Sequence, residues 1–159
     1  MEITKESIAK VVRQGNWLIR ADNDGISPSG EAKGFRWSPI GEWTEAPDWN
    51  PGHKCGGGLH GQDINYGGMI SGTRLVFCET SGKHIKIDGY KVKVKKARIL
   101  LVNALPDGLS VGGDLHLTGT GITALPDGLS VGGDLRLTGT GITALPGRIT
   151  VLGGRIIRS

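Results

Sequence analysis

Apolar residues along this chain fall mostly into short alternations, the period of half-buried strands, with helical spacing at one place only. There Ile8, Val11 and Val12 recur behind Thr4, whose hydroxyl suits a helix N-cap, and Glu6, which suits the positive end of a helix dipole. Gly15 is a stop signal, so the spacing predicts one helix over 4–14. Residues 16–21 (NWLIRA) read as a strand, and 22–33, rich in Gly, Ser, Pro, Asn and Asp, as a loop. Residues 34–49 predict two short strands around 39–41. A glycine-dense connection follows over 50–72, a length that marks a functional or mobile loop. Strands are predicted over 74–80, 84–88 and 90–102, with Asp88 and Gly89 as a hairpin turn.

Beyond residue 103 the pattern repeats. Residues 104–123 (ALPDGLSVGGDLHLTGTGIT) and 124–143 (ALPDGLSVGGDLRLTGTGIT) match at nineteen of twenty positions and differ only at His116 against Arg136; a decayed third copy starts at Ala144. A fixed period of this length predicts stacked rungs, each too small to bury its own apolar face. Leu115 and Leu117 alternate around His116, and Leu135 and Leu137 around Arg136, which predicts a short parallel strand ladder with leucines inward. Leu105, Leu109, Val111 and Ile122 complete the inward set. Gly, Thr and Pro leave no room for a helix in the repeat. So few rungs need a cap, and the apolar stretch 99–102 is the expected one. The fold class is therefore mainly β (α+β): one short N-terminal helix and a compact β-rich domain over 1–103, continuous with a short C-terminal parallel β solenoid over 104–159.

Composition narrows the class. Glycine is high, at 28 of 159 residues, without the three-residue period of collagen. No apolar run approaches a membrane span, and the charged N-terminus has no signal-peptide core, so the expected compartment is the cytoplasm, with no membrane partner. The net charge of +4 sits in one place. Residues 1–82 carry eight Lys and Arg against ten Asp and Glu, 83–98 carry seven against one, and 104–159 carry four of each.

That basic segment is the first candidate site. Lys91, Lys93 and Lys95 alternate with Val92 and Val94, putting three lysines on one strand face. Two readings fit. One is contact with an anionic partner: nucleic acid, or an acidic host protein or ribonucleoprotein. The other is protection of a sheet edge, where lysines block pairing with other chains. His116 and Arg136 form the second candidate, since they point outward from the ladder, the face that repeat proteins use for binding. Cys55, His60, Cys78 and His84 are soft ligands in the order C-x4-H-x17-C-x5-H, with His53 as a spare; this is no familiar zinc spacing, and Cys78 sits in an apolar strand where a buried thiol is ordinary. No metal and no cofactor are expected. The CGGGLHG loop has the glycines of an anion cradle but lacks the Lys-Ser/Thr of a P-loop, and a turn needing positive φ accounts for it as well. Trp17, Trp37, Trp43 and Trp49 are expected in the core, which is otherwise poor in aromatics.

Three resemblances add to this. The spacing LPxxLxVxGDLxLxxTxIxxLP resembles bacterial leucine-rich repeats that carry LP at each turn; it covers 104–159 and departs from them at Thr120 and Thr140, which stand where an asparagine ladder is usual. GFRWSPIGEWTEAPDW followed by CGGGLHG resembles a domain of unknown function in small phage and prophage proteins, which implies a mobile-element origin and transfers no activity. Arg20, the GLH around His60, and Glu79 are similar in order to the nicotinamide-cofactor site of some ADP-ribosyltransferases, which makes Arg20, His60 and Glu79 the catalytic set of an alternative, enzymatic reading. The reading that joins most of these features is a non-enzymatic, phage-type binding protein of a bacterial host cell. It engages a host macromolecule, with a bacterial defence system as the analogous target. The sequence sets no oligomeric state.

Overall fold

A computed structural model describes residues 2–25, 35–54, 56–65, 72–87 and 91–158. The helix α1 spans Lys5–Gln14. The Thr4 hydroxyl accepts the Ser7 N–H, the Ser7 hydroxyl accepts the Thr4 N–H, and Gly15 closes the helix at φ 73°. Asp88 and Gly89, the expected hairpin turn, lie outside the described residues, as do Cys55 and most of the 22–33 loop.

Strands β1 (Trp17–Asp22), β2 (Trp43–Glu45), β4 (Arg74–Ser81) and β7 (Lys96–Val102) form an antiparallel sheet in the order β1-β4-β7-β2. Strands β3 (Leu59–Gly61), β5 (Ile85–Ile87) and β6 (Lys91–Val94) form a second antiparallel sheet in the order β3-β6-β5. The first sheet separates two cores. On one face Trp17, Ile19, Leu75 and Phe77 pack with Ile8 and Val11 of the helix. On the other, Leu18, Val76, Cys78 and Ile99 pack with Leu59, Val92 and Val94 of the second sheet.

Two expectations change here. The predicted strand over 90–102 is two strands in different sheets, broken at Lys95, whose carbonyl accepts the Ala46 N–H. The connection expected to be strandless contains β3. It follows the edge of β1 so closely that a Cβ on Gly61 would lie 2.5 Å from Leu18 Cγ and 2.6 Å from the Ile19 carbonyl oxygen. Only glycine fits there, so the residue that reads as a loop signal is the one that lets the strand dock.

Residues twenty apart, or twenty-one between β11 and β13, pair in parallel, in two ladders. One joins β8 (Ser110–Val111), β10 (Leu129–Val131) and β12 (Ile149–Val151); the other joins β9 (Leu115–His116), β11 (Leu135–Arg136) and β13 (Ile156–Ile157). All six inward positions of the first copy are buried. They belong to the same core as α1 and the first sheet, so one apolar cluster runs from Ile8 to Leu137.

Between rungs, aspartates take the bridging role. The carboxylates of Asp107 and Asp114 accept the N–H groups of Asp127 and Asp134, and the Thr120 and Thr140 hydroxyls each donate to the carbonyl three residues back, at 2.7 Å. Stacked like charges repel. The third copy ends the series with arginines: Arg148 and Arg155 pair with Asp127 and Asp134, both at 2.6 Å. The backbone cap at the other end differs from the expected 99–102. That stretch is spent on pairing with β4, and the first rung instead donates Gly112 N–H to Ile64 O and Gly121 N–H to Thr73 O, while Gln62 donates its amide to Asp114 O.

Candidate functional site

The outward row of the second ladder is His116, Arg136 and Ile157, in register on adjacent strands. Leu115, Leu117, Leu135 and Leu137 hold these strands in the core, so the backbone beneath the row is fixed. His116 Nε2 lies 3.6 Å from Asp114 Oδ2, beyond hydrogen-bond length; that nitrogen and Arg136 Nε are buried atoms, and neither has a hydrogen-bond partner among the described residues. Among the same residues no carboxylate lies within 4 Å of the Arg136 guanidinium, whereas Arg148 and Arg155 are both paired. The face therefore carries positive charge that the described part of the chain does not neutralise.

The lysine row is not an exposed face. The alternation is as expected, with Val92 and Val94 in the core between the sheets. Lys93, however, is 1% exposed: its ammonium donates to the carbonyls of Lys54 at 3.1 Å and Gly56 at 2.9 Å, and lies 5.9 Å from the Trp49 ring. Lys91 is half-buried, and Lys95, beyond the end of β6, is 3.8 Å from Glu45. Edge protection does not apply either, because β6 is the middle strand of its sheet. The glycine-rich loop roofs the lysine face, and a strand's own periodicity carries no sign of what covers it.

Arg20 and Glu79 do not share a cleft. Glu79 is paired across the sheet with Trp17, three residues from Arg20, so the two side chains leave opposite faces. Arg20 stacks on Trp37 at 4.6 Å, while Glu79 accepts two hydrogen bonds from Arg98, whose guanidinium lies over Trp43. Trp17 and Trp37 are in the core as expected; Trp43 is at the surface beneath Arg98 and Lys96.

Cys55 lies outside the described residues, and among those described no group of three or more His, Cys, Asp or Glu side chains is placed to hold a metal ion. Cys78 is fully buried, and burial pushes its thiol up to about 12, away from the thiolate a metal needs. Both ring nitrogens of His84 are engaged, Nδ1 with Asp63 at 2.9 Å and Nε2 with Thr80 at 2.7 Å. Sequence reasoning missed this buried relay of Asp63, His84 and Thr80, which ties the β4–β5 turn to the segment after β3. Its members lie 17 and 4 residues apart, a spacing without local signature.

His60 accepts the Gly56 N–H on Nε2 at 3.2 Å, which requires a neutral ring. Burial, then repulsion from Lys91, Arg20 and Lys93, pulls its pKa from 6.5 to about 4. Above pH 6.5 the folded and unfolded chains both keep this ring neutral. Below it the unfolded chain takes up the proton first, so stability is lost as pH falls from 6.5 towards 4. Urea melts at pH 7 and pH 5 should show wild type losing roughly 1 kcal/mol more than His60→Gln, after allowing for solvent around a partly exposed ring. Equal losses in the two proteins rule this histidine out as a source of acid sensitivity.

No family model, no curated protein and no solved structure matches the chain.

Proposed function

We propose that this chain is a non-enzymatic binding protein, of phage or prophage type, that holds the acidic surface of a host macromolecule against the outward row of its second ladder. The observation that carries this is the unneutralised charge of Arg136 beside His116, on strands whose inward side chains are locked in the core. An acidic partner finds the Arg136 guanidinium already positioned, so little ordering is needed on contact. The pairing of residues twenty apart, with one repeated inward set, supports reading the ladders as a short leucine-rich-repeat-like solenoid. The placement of Arg20 and Glu79 on opposite faces counts against the ADP-ribosyltransferase-like alternative. The mobile-element resemblance directs the search to bacterial host proteins and ribonucleoproteins, defence complexes among them.

The test is affinity capture from a bacterial lysate with mass spectrometry, run in parallel on wild type, His116→Ala and Arg136→Glu. Arg136→Glu should lose the captured partner at unchanged melting temperature, because the half-buried outward position contributes little to the core. Capture of the same partner in the same amount by all three proteins sinks the ladder face as the contact surface.

A further inference from the structure

The loop that roofs Lys93 encloses an open cleft of about 600 Å³, lined by Asp48, Asn50, His53, Lys54, Gly57 and Lys93 among others. This size suits a small ligand. The cleft lies on the second antiparallel sheet, away from the ladder face.

We infer that this cleft binds the phosphate group of a small molecule, held by the Gly57 N–H and Lys54 over the buried charge of Lys93.

Four observations converge on this. First, the Lys93 ammonium is buried on the middle strand with no carboxylate within 4 Å among the described residues; its oxygen partners are two neutral carbonyls. A buried charge without a counter-ion is costly, and an anion in the adjoining cleft relieves that cost. Second, a trans peptide sets its C=O and N–H in opposite directions. The Gly56 carbonyl turns in to the ammonium, so the Gly57 N–H points away from it, and no hydrogen bond from that N–H is made within the described residues. A carbonyl bound to a cation polarises its own N–H, which strengthens that donor towards an anion.

Third, the loop takes its shape from consecutive glycines at φ 91° and 66°, Gly56 and Gly57. The Gly56 N–H is taken by His60 Nε2, so the turn leaves the Gly57 N–H as its free donor. The loop is pinned from below, where the Asn50 N–H donates to Gly57 O at 2.8 Å, and a Cβ on Gly57 would lie 2.7 Å from Asn50 Cβ. Fourth, the potential is positive. His60, opposite Lys93 on β3, is kept neutral first by burial and then by repulsion from Lys91, Arg20 and Lys93. The lining carries Lys54 and Lys93 against the one carboxylate of Asp48. A phosphate suits this set better than a carboxylate, since its tetrahedral oxygens can take the Gly57 N–H and the Lys54 ammonium at once.

The experiment is isothermal titration calorimetry of the full chain with inorganic phosphate, AMP and adenosine. Phosphate and AMP should both bind saturably, and adenosine should not. AMP binding tighter than phosphate identifies a phosphate ester as the ligand; equal affinities identify the free ion, and either result supports the phosphate site. Lys54→Glu, a change at an exposed rim residue, should weaken AMP by at least about tenfold through loss of one charge-assisted contact and gain of a repulsive one. Lys93→Met should abolish binding; if that variant does not fold, Lys54→Glu decides. Absence of saturable heat with both phosphate and AMP overturns the inference. So does adenosine binding as tightly as AMP, or Lys54→Glu binding AMP like wild type.

Discussion

The fragment 104–159 should not fold. Its leucines belong to a cluster that also contains Ile8, Val11, Trp17, Ile19, Leu75 and Phe77, so cutting at residue 103 removes part of the core that the first rung belongs to. The same cut removes three hydrogen-bond partners of that rung: the carbonyls of Ile64 and Thr73 and the Gln62 amide. Each rung pairs two residues in one ladder and two or three in the other, too little to offset the entropy of ordering twenty residues without a neighbour on each side. Circular dichroism of the fragment should show no cooperative thermal transition. The reciprocal fragment 1–103 should also melt early, because Trp17 and Phe77, with ring centroids 5.8 Å apart, lose their cover. A sharp transition in 104–159 means the ladders are self-sufficient and the shared core is incidental.

How far the sequence foretold this architecture depends on whether the deciding contact was local. The helix was legible down to Thr4 and Gly15 because caps act within one turn. The parallel ladder was legible because identity at a fixed period states its own register. The other ladder, through Ser110 and Ser130, was not. Strands of two or three residues beside glycine are too short to declare themselves, although Leu109 and Val111 read as inward, and what makes them strands is the neighbouring rung. The arginines that end the aspartate series were visible as residues but not as a cap, since Arg155 reaches Asp134 only after a one-residue insertion shifts the pairing from twenty to twenty-one. Among candidate sites, His116 and Arg136 stood where alternation put them. The lysine row failed as a surface for a different reason. Its alternation was right, but burial on the far side of a sheet is set by a loop some forty residues away, and the 52–58 glycines do not announce what they cover. The Arg20 and Glu79 pairing failed because order along the chain does not give strand parity.

Asp22→Ala should cost about 3–5 kcal/mol, a heavy loss for one substitution and close to half of a typical domain's stability. Asp22 is fully buried at the end of β1, where its carboxylate accepts Arg74 Nε at 2.8 Å and Nη2 at 2.9 Å together with the Gly25 N–H at 3.0 Å. Truncation leaves a guanidinium that is three-quarters buried without its counter-charge, and a buried N–H without an acceptor. The pair also positions the segment that receives the ladders. Gly72 approaches Asp22 so closely that a Cβ there would lie 2.6 Å from the Asp22 backbone, and the next residue, Thr73, accepts the first rung's Gly121 N–H. Loosening Asp22 should therefore weaken the ladder as well as the sheet, and hydrogen exchange at Gly121 should accelerate in step with global unfolding. Asp22→Asn, which keeps an acceptor for Gly25 but not the charge, should fall between wild type and alanine. Replacing both partners, Asp22→Ala with Arg74→Met, should cost less than the sum of the single changes, since the second removes the charge the first left stranded. Strict additivity in that cycle, measured by urea denaturation, is the outcome that denies the ion pair its part in joining sheet to ladder.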